Sequence, residues 1–370
     1  MKTKAAILWE VNTPWSVEEI ELDEPKPGEV LVKLAASGLC HSDEHLLTGD
    51  LPFELPIIGG HEGAGVVEKV GENVSWLAPG DHVVFGFIPS CGRCASCSTG
   101  HQNLCDLGAA QAGGRQILDG TARHHGQDKD LGLMCLLGTF AHHTVVNEAS
   151  CIKIDEGWPL DKACLLGCGV VTGWGSAVYT GDVQPGDYVA VVGAGGIGSN
   201  AIQGARMAGA RVIAAIDPVA FKREMATTFG ATHTFASMDD AMGALGDTTW
   251  GRGYDKVIMT MGVGDAESVG KAFWLGGKRA KIIITNLHPT SEMNLQVPAV
   301  MLTLFEKSIV GSLFGSANIR KDIPRLFELY LQGQLDLDHL VTKTYSLDEI
   351  NEGYEAMRQG ENIRGVILYD

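Results

Sequence analysis

Long apolar runs are missing from this 370-residue chain. No stretch approaches the ~20 residues that a membrane-spanning helix requires. Basic charge is also scarce: 28 Lys and Arg stand against 45 Asp and Glu, a formal net charge of −17. Such a field repels nucleic acid and anionic membranes, so neither is expected as a partner. The opening MKTKAAILWE has no apolar region of leader length and no small-residue cleavage site, so no secretory leader is expected. Internal repeats and low-complexity tracts are lacking too. The expected setting is therefore cytoplasmic, where thiols stay reduced. The nine cysteines then read as metal ligands or spare thiols rather than disulfides.

What is abundant is glycine, at 48 residues, and its distribution divides the chain. Over the first ~170 residues, short apolar segments such as GEVLVKLAASG and GAGVVEKVG alternate with Pro- and Gly-rich turns. This predicts a β-barrel-like unit with long loops. Residues 106–138 show no periodicity and read as a long loop bordering a site. Beyond Gly169 the pattern changes to DYVAVVG, ARVIAAID, DKVIMTMG and AKIIITNL, apolar runs separated by helical segments. That alternation predicts a buried parallel sheet flanked by helices. The expected division is a first unit of residues 1–170 and 313–370, its closing IRGVILYD returning as a strand, and a second unit of 171–312. The run MLTLFEKSIVGSLFG fits either an edge strand pairing between subunits or a buried strand.

Three motif groups carry chemistry. Cys91, Cys94, Cys97 and Cys105 follow C-x2-C-x2-C-x7-C, a spacing suited to a four-thiolate zinc site. Such a site is closed: with four protein ligands no position remains for water or substrate, so its value is structural. Gly193, Gly195, Gly196, Ile197 and Gly198 form a G-x-G-x-x-G turn between an apolar strand and a helix. This is the context that makes the pattern a dinucleotide site rather than a surface turn. Asp217 lies 19 residues past Gly198, where a carboxylate can accept from ribose hydroxyls and repel a 2′-phosphate. NAD is thus favoured over NADP, a preference softened by Lys222 and Arg223 nearby. The third group is scattered: GLCHSDEH offers Cys40, His41, Ser42, Asp43 and His45, GGHEG offers His61 and Glu62, and CLLGCG offers Cys164 and Cys168. Cys-His-Cys is a zinc set that leaves one position open, although sequence spacing alone does not assemble it.

Together GLCHSDEH, GGHEGAGVVEKVGENV, CGRCASCSTGHQNLC, GCGVVTGWGSA and GAGGIG make the whole chain resemble the zinc-dependent alcohol dehydrogenases of the medium-chain dehydrogenase/reductase superfamily. That resemblance implies an α/β fold: a GroES-like β-barrel catalytic domain plus a Rossmann doubly wound sheet for NAD. Cys40, His61 and Cys168 match the catalytic zinc ligands, and Glu62 matches the acidic neighbour that approaches the metal during ligand exchange. Asp43 matches the carboxylate that orients the ligand histidine. Ser42 and His45 match a proton relay ending in a surface histidine, for which an ordinary exposed histidine is the alternative. His41 and Arg364 match pyrophosphate contacts, and Thr172 matches a position behind the nicotinamide. Phe87 fits an alcohol-pocket wall or plain core packing. The implied activity is interconversion of alcohols with aldehydes or ketones by hydride transfer to NAD, with one catalytic and one structural zinc per subunit. The chain resembles the actinobacterial nicotinoprotein branch, which retains NAD and needs an external electron acceptor. On the edge-strand reading of MLTLFEKSIVGSLFG, a homo-oligomer, dimer or tetramer, is expected. The alternative, S-(hydroxymethyl)glutathione (formaldehyde) dehydrogenase, needs basic residues that DLGAAQAGGRQ supplies only as Arg115.

Overall fold

The computed structural model describes residues 1–50 and 53–370. Two compact units are present, one of residues 1–168, 318–330 and 337–370, the other of 169–317 and 331–336.

The first unit is built around the strand Glu29–Gly38, buried along most of its length. Its sequence EVLVKLAASG is Val- and Leu-rich, as a strand covered on both faces requires. It pairs antiparallel with Gly63–Val70, with His143–Asn147 and with the C-terminal Arg364–Leu368. The order across this seven-stranded sheet is Cys151–Ile154, His82–Phe85, Gly63–Val70, Glu29–Gly38, Arg364–Leu368 and Val341–Tyr345, with His143–Asn147 off the path. The C-terminal run thus returns to the first unit by direct strand pairing. A second, six-stranded sheet holds Lys2–Leu8 and Ser16–Leu22 at its centre.

The 106–138 segment differs from the expected featureless loop. It contains a 3-10 stretch, Asp106–Gly113, and the short strands His124–Gly126, Lys129–Asp130 and Gly132–Leu133, all three joined to the six-stranded sheet. Two- and three-residue strands are too short to show a period. What anchors them is Arg123, 1% exposed, whose guanidinium binds both oxygens of the equally buried Glu29 at 2.7 and 2.8 Å.

The second unit carries a six-stranded sheet whose neighbours all pair parallel. Its order is His233–Phe235, Val212–Ile216, Tyr188–Val192, Tyr254–Met259, Gly276–Ile284 and Ser308–Gly311. The chain starts in the middle, winds outward one way and then the other, so the direction reverses between Tyr188–Val192 and Tyr254–Met259. YVAVV and VIAAI are buried at every position, which explains their unbroken apolar character. Among the described residues no single helix is long and apolar enough to cross a membrane.

Candidate functional site

Four buried side chains converge in the first unit. Strand Glu29–Gly38 ends two residues before Cys40, which stands in extended conformation at the N-cap of the helix His41–Thr48. His61 and Glu62 directly precede strand Gly63–Val70, and Cys168 closes the turn Cys164–Gly167. One ligand atom from each of Cys40, His61, Glu62 and Cys168 lies within 4.8 Å of all the others. Residues 128 positions apart are thus gathered by strand and helix ends.

The surroundings fix the imidazole. Asp43, fully buried, accepts the Gly60 N–H at 2.8 Å through Oδ1, and its Oδ2 lies 3.1 Å from His61 Nδ1. His61 Nε2 is buried with no hydrogen-bond partner among the described residues. A nitrogen so placed beside two sulfurs and a carboxylate fits zinc, whose protein ligands are these atom types. Burial works against charge on His61, yet the Asp43 carboxylate and then Cys40 outweigh it and raise the imidazole well above its usual value. The neighbouring Cys168 thiol holds Cys40 well below the usual thiol value, and Cys40 in turn pushes Cys168 well above it. Burial raises Glu62, against the pull of Arg364. Cys164, close in sequence, is not part of the cluster; its thiol donates to Asp161 O at 3.4 Å.

The neighbouring expected residues occupy distinct positions. Ser42 Oγ lies 3.7 Å from Cys40 Sγ. Phe87 meets the His61 ring edge-on, centroids 6.0 Å apart. His41 is exposed. His45 is not at the surface: it is 5% exposed, and its Nδ1 lies 3.1 Å from Asp50 Oδ2. The helix His41–Thr48 buries His45 together with Asp43 and Leu46, so more than one of its faces is covered. Asp50, which sequence reading overlooked, is the more exposed member of that pair; its only sequence signal is a carboxylate five residues on. Arg364 is buried and pairs with Glu62, also donating to Leu39 O at 3.0 Å.

Cys91, Cys94, Cys97 and Cys105 form a second cluster, their sulfurs within 4.8 Å of one another and none in a disulfide. Backbone N–H groups of Arg93 and Cys94 donate to Cys91 Sγ, and that of Cys97 donates to Cys94 Sγ. Burial opposes a thiolate at Cys91, but these donors bring its pKa down to about 6. A turn of residues 91–105 that aims amides at sulfur is prepared to hold thiolates.

In the second unit, Gly193 follows strand Tyr188–Val192 with φ 96°. A Cβ there would also meet the backbone of Thr260 and Met261, so the turn requires glycine on both counts. Gly195 is different: a Cβ would find no protein atom within 4 Å, which leaves the backbone open to a ligand. Gly196, Ile197 and Gly198 form the first turn of the helix Gly196–Met207, whose N-terminal amides suit a phosphate. Asp217 ends the neighbouring strand. Its oxygens accept Ala194 N–H at 2.8 Å and Val219 N–H at 2.9 Å, leaving a lone pair on each. Arg223 donates to Asp217 O and Pro218 O, Lys222 is partly exposed, and Thr172 is buried, its Oγ1 without a hydrogen-bond partner among the described residues.

A zinc-fitted centre in a GroES-like unit and a dinucleotide turn in a Rossmann unit define a class of oxidoreductases. Residues 26–156 match the family described as "Alcohol dehydrogenase GroES-like domain", and residues 196–332 match "Zinc-binding dehydrogenase". The chain belongs to the zinc-binding alcohol dehydrogenases of the medium-chain dehydrogenase/reductase superfamily, which have zinc and NAD as cofactors. It is 51% identical to an NDMA-dependent alcohol dehydrogenase of Amycolatopsis methanolica, over 100% of this chain and 99% of that one. Among solved structures, an alcohol dehydrogenase zinc-binding domain protein from Burkholderia ambifaria shares 32% identity, with TM-score 0.93 over 100% of this chain and 99% of that one. A benzyl alcohol dehydrogenase from Acinetobacter calcoaceticus shares 29%, with TM-score 0.92 over the whole of both chains.

Proposed function

We propose that this enzyme oxidises small alcohols to aldehydes or ketones, reversibly, with NAD that stays bound through turnover and is reoxidised by an external acceptor. The observation that carries the alcohol chemistry is the buried set Cys40, His61, Glu62 and Cys168, with His61 Nε2 left without a hydrogen-bond partner among the described residues; retention rests on the likeness to the NDMA-dependent relative. Cys40, His61 and Cys168 would hold one zinc, Glu62 standing by during ligand exchange, and Cys91, Cys94, Cys97 and Cys105 a second, structural one. When bound, the catalytic zinc supplies Lewis-acid polarisation of the alcohol oxygen and NAD accepts hydride.

The chain's own residues do the rest. Asp43, with Oδ2 3.1 Å from His61 Nδ1, would orient the imidazole so that Nε2 could ligate the zinc. The Ser42 hydroxyl beside Cys40 passes the alcohol proton onward, and His45 with Asp50 carries it toward solvent, the pair combining a buried imidazole with an exposed carboxylate. Gly193, Gly195, Gly196, Ile197 and Gly198 receive the pyrophosphate, with His41 assisting. Asp217 accepts from the adenosine ribose, with Lys222 near it, and Thr172 backs the nicotinamide. Arg364, paired with Glu62, contributes its positive charge to pyrophosphate binding. Phe87 forms part of the alcohol pocket. We assign the cytoplasm as its location and a homo-oligomer as its working form. The 51% identity to an NDMA-dependent enzyme favours a separate redox partner over free NAD exchange.

Two measurements test this. Primary alcohols plus a nitroso acceptor should support turnover without added NAD, and strong chelation should abolish it. Denaturing the purified enzyme should release about one NAD per chain. Turnover that depends wholly on added NAD overturns retention, and no turnover with any acceptor overturns the activity.

A further inference from the structure

The second unit contains a polar pair that none of these roles uses. Asn286 lies two residues past strand Gly276–Ile284, and the backbone N–H groups of Thr285 and Asn286 both donate to Met259 O, at 3.1 and 3.3 Å. The residue is thereby pinned to the end of the adjacent strand Tyr254–Met259. It is 9% exposed, and its Oδ1 is buried with no hydrogen-bond partner among the described residues; Nδ2 makes a long contact, 3.4 Å to Leu287 O. His288 Nε2 is likewise buried and unpartnered. Gly264, in the loop after Tyr254–Met259, packs against both side chains: a Cβ there would collide with Asn286 Nδ2 and lie 2.7 Å from His288 Nε2. Its N–H donates to Leu287 O at 2.9 Å, and Val263 bridges Leu287, so the two loops brace each other.

A buried amide acceptor without a donor is unfavourable until something supplies one. Its place in the sheet says what could. Dinucleotides lie across the C-terminal ends of a doubly wound sheet, straddling the point where strand order reverses. The glycine turn and Asp217 assign the Tyr188–Val192 and Val212–Ile216 side to the pyrophosphate and adenosine. The other half, ending in Tyr254–Met259 and Gly276–Ile284, is left for the nicotinamide. That ring has one hydrogen-bonding group, a carboxamide, which offers two N–H donors and a carbonyl acceptor. Asn286 offers the same two functions reversed, and turning either amide over exchanges donor for acceptor without losing the match.

We propose that Asn286, with His288 beside it, is a positioning residue that binds the carboxamide of the nicotinamide and fixes which way the ring lies. The inference rests on the NAD reading above, and the test separates the two. After charcoal treatment to remove co-purified nucleotide, the full-length wild type and Asn286→Ala are titrated with NADH, with ADP-ribose, which lacks the nicotinamide, and with 3-acetylpyridine adenine dinucleotide, which lacks the carboxamide N–H groups. The variant should bind NADH about tenfold more weakly and ADP-ribose as the wild type does. The wild type should prefer NADH over the acetylpyridine analogue, and the variant should lose that preference. Unchanged NADH affinity, or NADH and ADP-ribose weakened equally, overturns the proposal while leaving the dinucleotide site standing. A wild type that binds neither ligand overturns both. If Asn286→Ala fails to fold, Asn286→Ser is measured the same way under the same criteria.

Discussion

At the residue scale the decisive contact is the one behind the ligand histidine. Asp43 accepts the Gly60 N–H with one oxygen and sets the other 3.1 Å from His61 Nδ1, an ion-pair contact between two buried groups that rotation of the imidazole would break. Replacing Asp43 with Asn keeps the size but sets an amide beside a ring N–H, where two donors can face each other. Zinc affinity should fall roughly 10- to 100-fold, read by competition with a chromogenic chelator, and activity should recover in excess zinc. Unchanged affinity would show that Asp43 packs beside His61 without orienting it. Glu62 illustrates the opposite case: it is closer to the cluster than Asp43, yet its ion pair with Arg364 ties it to a partner 302 residues away in sequence, a link no motif announces.

At the element scale, the 91–105 loop and the 124–126 strand depend on different physics. The loop has few apolar residues to bury, so metal binding contributes directly to its folding. A Cys94→Ser protein should lose one zinc by elemental analysis and become more susceptible to proteolysis in this loop, with turnover affected second. A fully stable variant that loses only turnover would refute a structural role. The strand holds His124, wholly buried, its Nδ1 without a hydrogen-bond partner among the described residues; burial drives its pKa down to about 3. An unfolded histidine titrates near 6.5. Above that value both states are neutral there and nothing is lost; as pH falls toward 3 the unfolded chain takes up a proton that the folded one refuses, and stability declines. At pH 5 the loss is about 1.5 pH units' worth, about 2 kcal/mol. Urea unfolding at pH 8 and pH 5 should show this loss in the wild type and correspondingly less of it in His124→Phe; equal acid sensitivity in both would exclude His124 as its source. Nothing in HHGQDKDLG betrays this burial, because strands of two and three residues leave no period to read. The helix over GLCHSDEH likewise hid the direction in which His45 points. By contrast YVAVV, VIAAI and the C-x2-C-x2-C spacing are local signals tied to local structures, and the parallel sheet and the gathering of the four cysteines were legible from them.

At the scale of the whole molecule, the ambiguity of MLTLFEKSIVGSLFG is resolved in part. Strand Ser308–Gly311 ends the second unit's sheet, paired only with Gly276–Ile284 among the described residues. Its free side presents unmatched N–H and C=O groups, which proteins normally cover. The helix just before it, Ala299–Leu304, places Val300 and Leu304 on one face by their i, i+4 spacing, at 63% and 68% exposure. Two large apolar side chains held in water beside an open sheet edge suit an isologous contact, in which the same strand of a second copy pairs across a two-fold axis and continues the sheet. With a net charge of −17, two copies repel at long range, so the contact has to rest on apolar area and strand pairing, both insensitive to screening, while the repulsion weakens with salt. Sedimentation at micromolar concentration should therefore give a dimer or larger, more fully associated at 0.5 M than at 0.05 M NaCl. A Val300→Glu, Leu304→Glu double variant should shift toward monomer with its circular dichroism unchanged. An oligomer that survives both glutamates would place the contact elsewhere on the molecule, and dissociation on adding salt would make it electrostatic.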